Sequence, residues 1–80
     1  MMLKVFVKED CPNCQAAKEV AQQFPFSRFY DLDNSDGLAE AAYHSVLCTP
    51  SMVLVDENNT VIHSWRCHVP RPAEITNYAA

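Results

Sequence analysis

The sequence predicts an α/β protein with the element order β-α-β-α-β-β-α. Two observations lead to this prediction: short apolar runs typical of strands alternate with stretches of helical spacing, and the last two apolar runs are separated only by the polar residues 56–59. Short connections and right-handed crossovers favour a four-stranded mixed sheet with helices on both faces. In that sheet we expect the first two strands to be parallel and the last two to form an antiparallel hairpin.

The first strand and the first helix are predicted near the N-terminus. Apolar and other residues alternate along Leu3–Val7, and the valines favour an extended chain, so this run predicts a strand with a buried face. Small and apolar residues then recur at helical spacing from Pro12 to Gln23. Proline suits the first turn of a helix, because its missing N–H would have no helical partner there. We therefore expect the first helix to begin at Pro12.

A second strand and a second helix follow. The strand is predicted near Phe26–Asp31, where aromatic residues recur between polar ones. Asn34 or Ser35 has a side chain that can cap a helix N-terminus. We expect this helix to carry Leu38, Ala41 and Ala42 and to end near His44.

The remaining elements are a hairpin and a last helix. Residues 51–55 (SMVLV) and 60–65 (TVIHSW) are apolar runs typical of strands. Asn58 and Asn59 lie between them and tolerate the positive φ of a tight turn. The tail from Pro70 to Tyr78 predicts a helix, since Pro72 suits an opening turn.

Composition restricts the class of protein. Eighty residues suffice for one small domain over residues 1–80, and 49% hydrophobic residues suffice for a core. The net charge is −4, and the six Lys and Arg residues are scattered, so we expect no nucleic-acid partner. Lys4 interrupts the first apolar run, so we expect no export signal there. No run approaches the roughly 20 apolar residues of a membrane span. We therefore expect a cytoplasmic protein, monomeric and without a membrane partner.

The stretch DCPNCQ, residues 10–15, contains two cysteines three residues apart, Cys11 and Cys14, which are candidates for thiol chemistry. If the helix begins at Pro12, Cys11 lies at its cap and Cys14 lies one turn further, with Cβ atoms close enough to form a disulfide. The positive end of the helix dipole favours a thiolate at Cys11, which makes it the expected nucleophile. Cys14 is expected to be less exposed and to resolve a mixed disulfide by attacking Cys11.

Three features together resemble the thioredoxin superfamily, and within it the small glutaredoxin-like and thioredoxin-like proteins. They are a strand, the CPNC motif at the following helix start, and TPSMVLV about three dozen residues later. The resemblance covers nearly the whole chain and implies a thioredoxin-like fold and a thiol–disulfide oxidoreductase. It also implies that Pro50 is a cis-proline beside the redox pair, with the Thr49 backbone as the edge where substrates dock. The redox-active disulfide is then the only cofactor.

The expected partners are a disulfide-containing protein or small molecule and a reductant. Lys8 is similar to a lysine that many glutaredoxins carry three residues before the nucleophile, where it supports the thiolate and meets a glutathione carboxylate. Lys8, Pro12, Thr49 and Pro50 are accordingly the expected substrate-binding residues. Residues 65–69 (WRCHV) stand where glutaredoxins usually have paired glycines, and Val5 stands where thioredoxins bury an acidic residue. Glutathione and a flavoprotein reductase similar to thioredoxin reductase therefore both stay open as the reductant.

Cys48 and Cys67 fall outside this pattern. Free cysteines are commonly small buried apolar side chains, which is the first interpretation of both. The alternatives are a second disulfide between them, or an auxiliary thiol that takes electrons from Cys14. Two rival functions also stay open: zinc binding by the four cysteines, with His68 in place of one, and a non-catalytic interaction module on the same fold.

Overall fold

The structure is a computed structural model that describes residues 1–79. The predicted element order is confirmed. The elements are β1 (Met2–Val7), α1 (Cys14–Ala21), β2 (Ser27–Asp31), α2 (Ser35–Tyr43), β3 (Ser51–Val55), β4 (Val61–Trp65) and α3 (Pro72–Ala79). Within the described residues, no helix is both long and apolar enough to cross a membrane.

The sheet has the strand order β2-β1-β3-β4. β1 pairs in parallel with β2 and antiparallel with β3, and β3 pairs antiparallel with β4, as the predicted mixed sheet requires. Phe6, near the end of β1, pairs with Ser51 at the start of β3, and the neighbouring Met52 pairs with Trp65 at the end of β4. The segments that follow β1, precede β3 and follow β4 therefore meet at one end of the sheet.

Helices cover both faces of the sheet, as predicted. On one face, α1 and α3 pack against the strands through a buried cluster of Leu3, Val5, Val7, Cys14, Ala17, Ala21, Met52, Leu54, Trp65 and Ile75. On the other face, α2 packs against a smaller cluster of Phe6, Ala41, Val46, Val53 and Val55. Leu3, Val5 and Phe6 are fully buried, because the central strand β1 is covered by helices on both faces.

The first helix begins two residues later than predicted, at Cys14 instead of Pro12. The Cys14 N–H donates to the Cys11 carbonyl (3.2 Å), which closes a tight turn, and the first α-type bond runs from the Ala17 N–H to the Asn13 carbonyl (3.2 Å). Cys11 is therefore not the cap residue. Asn13 has that position. The prediction was wrong because a proline satisfies the first turn of a helix and a preceding tight turn equally well.

The second helix has the predicted position and carries Leu38, Ala41 and Ala42, as expected. Asn34 caps it, since its side chain accepts a hydrogen bond from the Gly37 N–H (2.8 Å). Gly37 packs directly on the Asp31 backbone, where any Cβ would collide with the carbonyl oxygen. Because the helix lies this close to β2, Gly37 and Ala41 are buried against the sheet, whereas Leu38 is 56% exposed.

A buried polar cluster lies beside α2, on the face of the sheet away from α1. Lys4 is only 4% exposed, and its ammonium group bonds to the Glu40 carboxylate, the Asn59 amide oxygen (2.7 Å) and the His44 ring nitrogen Nε2 (2.9 Å). Burial, followed by the nearby Lys4 charge, lowers the pKa of His44 from its ordinary value. His44 lies at the end of α2, as predicted, and is buried there.

Candidate redox site

Cys11 and Cys14 lie between the end of β1 and the first turn of α1 and are joined by a disulfide, with Cα atoms 5.4 Å apart. Cys14 belongs to the buried cluster under α1 and is 3% exposed, whereas Cys11 is only partly buried. The expected difference in exposure is therefore present. A disulfide reagent that approaches from solvent meets Cys11 first.

The N-terminus of α1, which follows Cys11 by three residues, has no side-chain cap. The side chain of Asn13 makes no capping hydrogen bond, and the first turn contains no acidic residue. The matching position of α2 is different, because Asn34 caps it and Asp36 lies in its first turn. Uncapped N–H groups and the positive end of the helix dipole stabilise an anion nearby, so this arrangement favours the thiolate form of Cys11.

Cys11 opens onto a surface cavity of about 400 Å³. Two segments form its walls: the loop after β1 and the loop before β3. The structure thus brings together three of the four predicted substrate-binding residues, and Pro50 is buried directly beyond Thr49. The lining residues are Lys8, Asp10, Cys11, Pro12, Asn13, Leu47, Cys48 and Thr49.

Thr49 has two features that suit contact with a substrate. The Thr49–Pro50 peptide bond is cis, in the segment that leads into β3. Among the described residues, the Thr49 hydroxyl oxygen is the one buried side-chain oxygen or nitrogen atom without a hydrogen-bond partner. Buried polar groups are normally satisfied, and this one belongs to a residue of the cavity wall.

The charged residues at the cavity have both signs. Lys8 and Asp10 are exposed on its wall, and Glu9 lies between them. The Glu9 N–H donates to the Asp33 carboxylate (2.9 Å), which fastens this loop to the connection between β2 and α2. The expected position of Lys8 near Cys11 is therefore present, together with acidic neighbours that oppose its field.

Leu47 is a cavity residue that sequence reasoning missed. It precedes Cys48 and is 93% exposed, although a leucine beside an apolar strand normally counts as core. Nothing in its sequence context distinguishes it from a buried residue. An exposed leucine at the rim gives the cavity an apolar wall next to Thr49.

The other two cysteines form a second disulfide, between Cys48 and Cys67, with Cα atoms 5.4 Å apart. Cys67 is exposed and has φ = 65°, in the left-handed region where residues other than glycine are uncommon. The interpretation of Cys67 as a small buried side chain is therefore wrong. The four cysteines are arranged as two separate pairs, and His68 is exposed and belongs to neither.

No protein-family model and no curated protein sequence matches this chain. Solved structures do match its fold. Thioredoxin 1 from Thermosipho africanus superposes with a TM-score of 0.75 at 18% identity, over 99% of this chain and 90% of that one. A malarial protein gives a TM-score of 0.75 at 18% identity, over 98% of this chain and 91% of that one. The chain has a thioredoxin-like fold. A thioredoxin from Thermus thermophilus also matches, with a TM-score of 0.68 at 20% identity, over 95% of this chain and 68% of that one.

The thioredoxin-like fold explains why distant residues meet at this site. The parallel β1–α1–β2 unit delivers Cys11 to the end of the sheet, and the antiparallel pairing of β1 with β3 brings Thr49 to the same end. Such a meeting needs no sequence proximity between the two segments, which lie almost forty residues apart. The CPNC motif and the Thr-Pro dipeptide therefore lie at the same end of the sheet in this thioredoxin-like fold.

Proposed function

We propose that this protein is a thiol–disulfide oxidoreductase in which Cys11 is the nucleophile and Cys14 the resolving thiol. One observation supports the proposal above the others: a partly exposed cysteine in the tight turn before α1 is bonded to the buried first residue of that helix, whose N-terminus has no side-chain cap. Such a pair opens and closes without a change in the fold. The more accessible sulfur also has the environment that favours a thiolate.

The reaction takes place in two exchange steps. The Cys11 thiolate attacks one sulfur of the substrate disulfide, so that a mixed disulfide forms and the other substrate sulfur leaves as a thiolate. Cys14, as a thiolate, then attacks the Cys11 sulfur, which closes Cys11–Cys14 and releases the second substrate thiol. The substrate gains two electrons and two protons, and the protein dithiol loses them.

Docking of the substrate is assigned to the cavity wall. The Thr49 backbone offers polar contacts to an extended peptide or a small disulfide, and Leu47 offers an apolar one. Lys8 supplies a positive charge for a substrate carboxylate. The substrate is a disulfide in a protein or a small molecule in the cytoplasm, and the reductant is glutathione or a flavoprotein reductase.

Two variants test the assignment, each made in Cys48→Ser/Cys67→Ser so that the second pair of cysteines cannot react with the reagent or with Cys11. With a small aromatic disulfide whose thiolate product absorbs visible light, we expect Cys11→Ser to lower the rate to that without protein. We expect Cys14→Ser to release one thiolate equivalent and then stop, with the second substrate thiol held on Cys11 and visible as added mass. Equal activity with and without Cys11→Ser would contradict the proposal, and an adduct on Cys14 in Cys11→Ser would reverse the roles.

A further inference from the structure

The second disulfide lies beside the same cavity as the first. Cys48 shares the cavity wall with Cys11, and Cys67 lies at the bend that follows β4. The pairing of β3 with both β1 and β4 brings these two segments and Cys11 to one end of the sheet. We propose that Cys48–Cys67 is a second redox couple that exchanges two electrons with Cys11–Cys14 inside one chain. This inference rests on the proposed function of the first pair.

Several noncovalent contacts hold the second pair in place whether or not its disulfide is closed. The buried Ser51 hydroxyl donates to the Cys48 carbonyl (2.9 Å) and accepts from the Cys67 N–H (3.1 Å). The Arg66 guanidinium donates to the carbonyls of Ser45 (3.0 Å) and His44 (3.1 Å). In each of these bonds a side chain of Ser51 or Arg66 binds a backbone group, and together they join the loop before β3 to the bend after β4. After reduction, the two thiols therefore remain neighbours, and the pair can close again.

The backbone at Cys67 indicates that its sulfur accounts for the choice of residue. A residue with φ = 65° is normally glycine or asparagine, because a Cβ is crowded in that conformation. Cysteine has no backbone advantage at such a position. Its side chain can form a disulfide with Cys48. Because Cys67 is an exposed residue, this disulfide has one end at the surface. Exposed disulfides are the ones that reductants and thiolates open most readily.

The exchange balances without any external reagent. Starting from reduced Cys11 and Cys14, the Cys11 thiolate attacks the Cys48 sulfur, so Cys11–Cys48 forms, Cys48–Cys67 breaks, and Cys67 leaves as a thiolate. Cys14 then attacks the Cys11 sulfur, which closes Cys11–Cys14 and releases Cys48. Two electrons pass from the first pair to the second, and two protons follow through solvent. The product carries a reduced thiol at the exposed Cys67, outside the cavity.

The Cys14→Ser variant of the full chain tests the first step, because it keeps Cys11 reduced and cannot resolve. It is prepared with Cys48–Cys67 oxidised, quenched with acid, alkylated and cleaved after Lys and Arg. Cleavage separates Cys11 in peptide 9–18, Cys48 in 29–66 and Cys67 in 67–80. We expect a disulfide-linked pair of peptides 9–18 and 29–66, with an equal amount of alkylated Cys67. The fraction should not change on tenfold dilution, because the exchange is intramolecular. In Cys11→Ser/Cys14→Ser, Cys67 should stay unalkylated.

The inference would be overturned by fully alkylated Cys11 beside an intact Cys48–Cys67 bridge, in a Cys14→Ser protein with the circular dichroism of the wild type.

If the variant does not fold, an experiment on the wild type replaces it. Oxidised protein given one equivalent of dithiothreitol, and reduced protein given one equivalent of an oxidant, should reach the same distribution of thiols between the two pairs. Distributions that stay different would also overturn the inference. If wild type still reduces the small aromatic disulfide in that case, only the exchange fails and the proposed function stands. Absence of that activity would refute the proposed function itself.

Discussion

The ammonium group of Lys4 has three N–H donors, and each has a partner in the buried cluster of Glu40, His44 and Asn59. The His44 nitrogen that faces Lys4 must therefore accept a hydrogen bond, which only the neutral ring can do at that atom. A proton on this nitrogen would lie beside a positive charge in a buried place. The charge of Glu40 acts to raise the pKa of His44, and the charge of Arg66 acts to lower it further.

The lowered pKa of His44 makes stability depend on pH. In the unfolded chain this histidine binds a proton near pH 6.5, whereas the folded chain resists the proton because of burial and the Lys4 charge. The unfolded state therefore binds more protons between the two pKa values, and stability rises with pH there. The contribution is complete above about pH 6.5 and is lost as the pH falls toward the folded pKa.

We expect the free energy of unfolding in urea to fall from pH 7.5 to pH 5.5, and to fall less in His44→Gln. Glutamine keeps an acceptor for Lys4 but does not titrate, so the variant isolates the proton. His63→Gln is the control, because His63 is partly exposed on β4 and stacks against Tyr78 outside the Lys4 cluster. An equal loss of stability in wild type and His44→Gln would assign the pH dependence to other groups.

At the scale of elements, α1 and α2 each have an asparagine at the N-cap position, but only one of the two side chains caps its helix. Asn34 accepts a hydrogen bond from the Gly37 N–H, and Asn13 makes no side-chain bond to its helix. Removing a capping side chain typically costs about 1 kcal/mol. We therefore expect Asn34→Ala to lower the free energy of unfolding by about 1 kcal/mol, and Asn13→Ala to change it by less than about 0.5 kcal/mol. Urea unfolding of both variants measures this, and equal losses would show that Asn13 also caps its helix.

Elements were predictable where the signal was local. Asn34, Pro72 and the alternation of Leu3–Val7 mark their elements within a few residues of sequence, and the structure places a cap, a helix start and a strand there. The redox pair was predictable for the same reason. The partners of Lys4 lie 36, 40 and 55 residues away in the sequence, so no pattern of neighbouring residues could predict its burial.

The second disulfide was left open by the sequence because two cysteines 19 residues apart become neighbours only through the hairpin and the bend after it. The predicted start of α1 was wrong for a related reason. Proline suits the first turn of a helix, but here it lies in the tight turn that the Cys14 N–H and the Cys11 carbonyl close before the helix begins.

At the scale of the whole molecule, the Cys48–Cys67 bond closes a loop that the unfolded chain would otherwise leave free. A loop of this length is worth about 3 kcal/mol by its closure entropy, and the three-residue loop of Cys11–Cys14 is worth roughly half as much. We expect Cys48→Ser/Cys67→Ser to unfold in urea with a free energy about 3 kcal/mol below that of the oxidised wild type. In dithiothreitol the two proteins should become similar. An unchanged difference under reduction would assign the effect to the serine side chains and not to the bond.

Burial of Lys4 gives the chain a chemical marker of its own opening. The sequence has three lysines, and Lys8 and Lys18 are exposed while Lys4 lies under the edge of α2. An acylating reagent modifies the two exposed lysines in the native protein, but it reaches Lys4 only in molecules in which α2 has separated from the central strand. Acylation at Lys4 therefore records rare openings between α2 and the sheet, and Lys8 and Lys18 provide an internal standard for reagent strength.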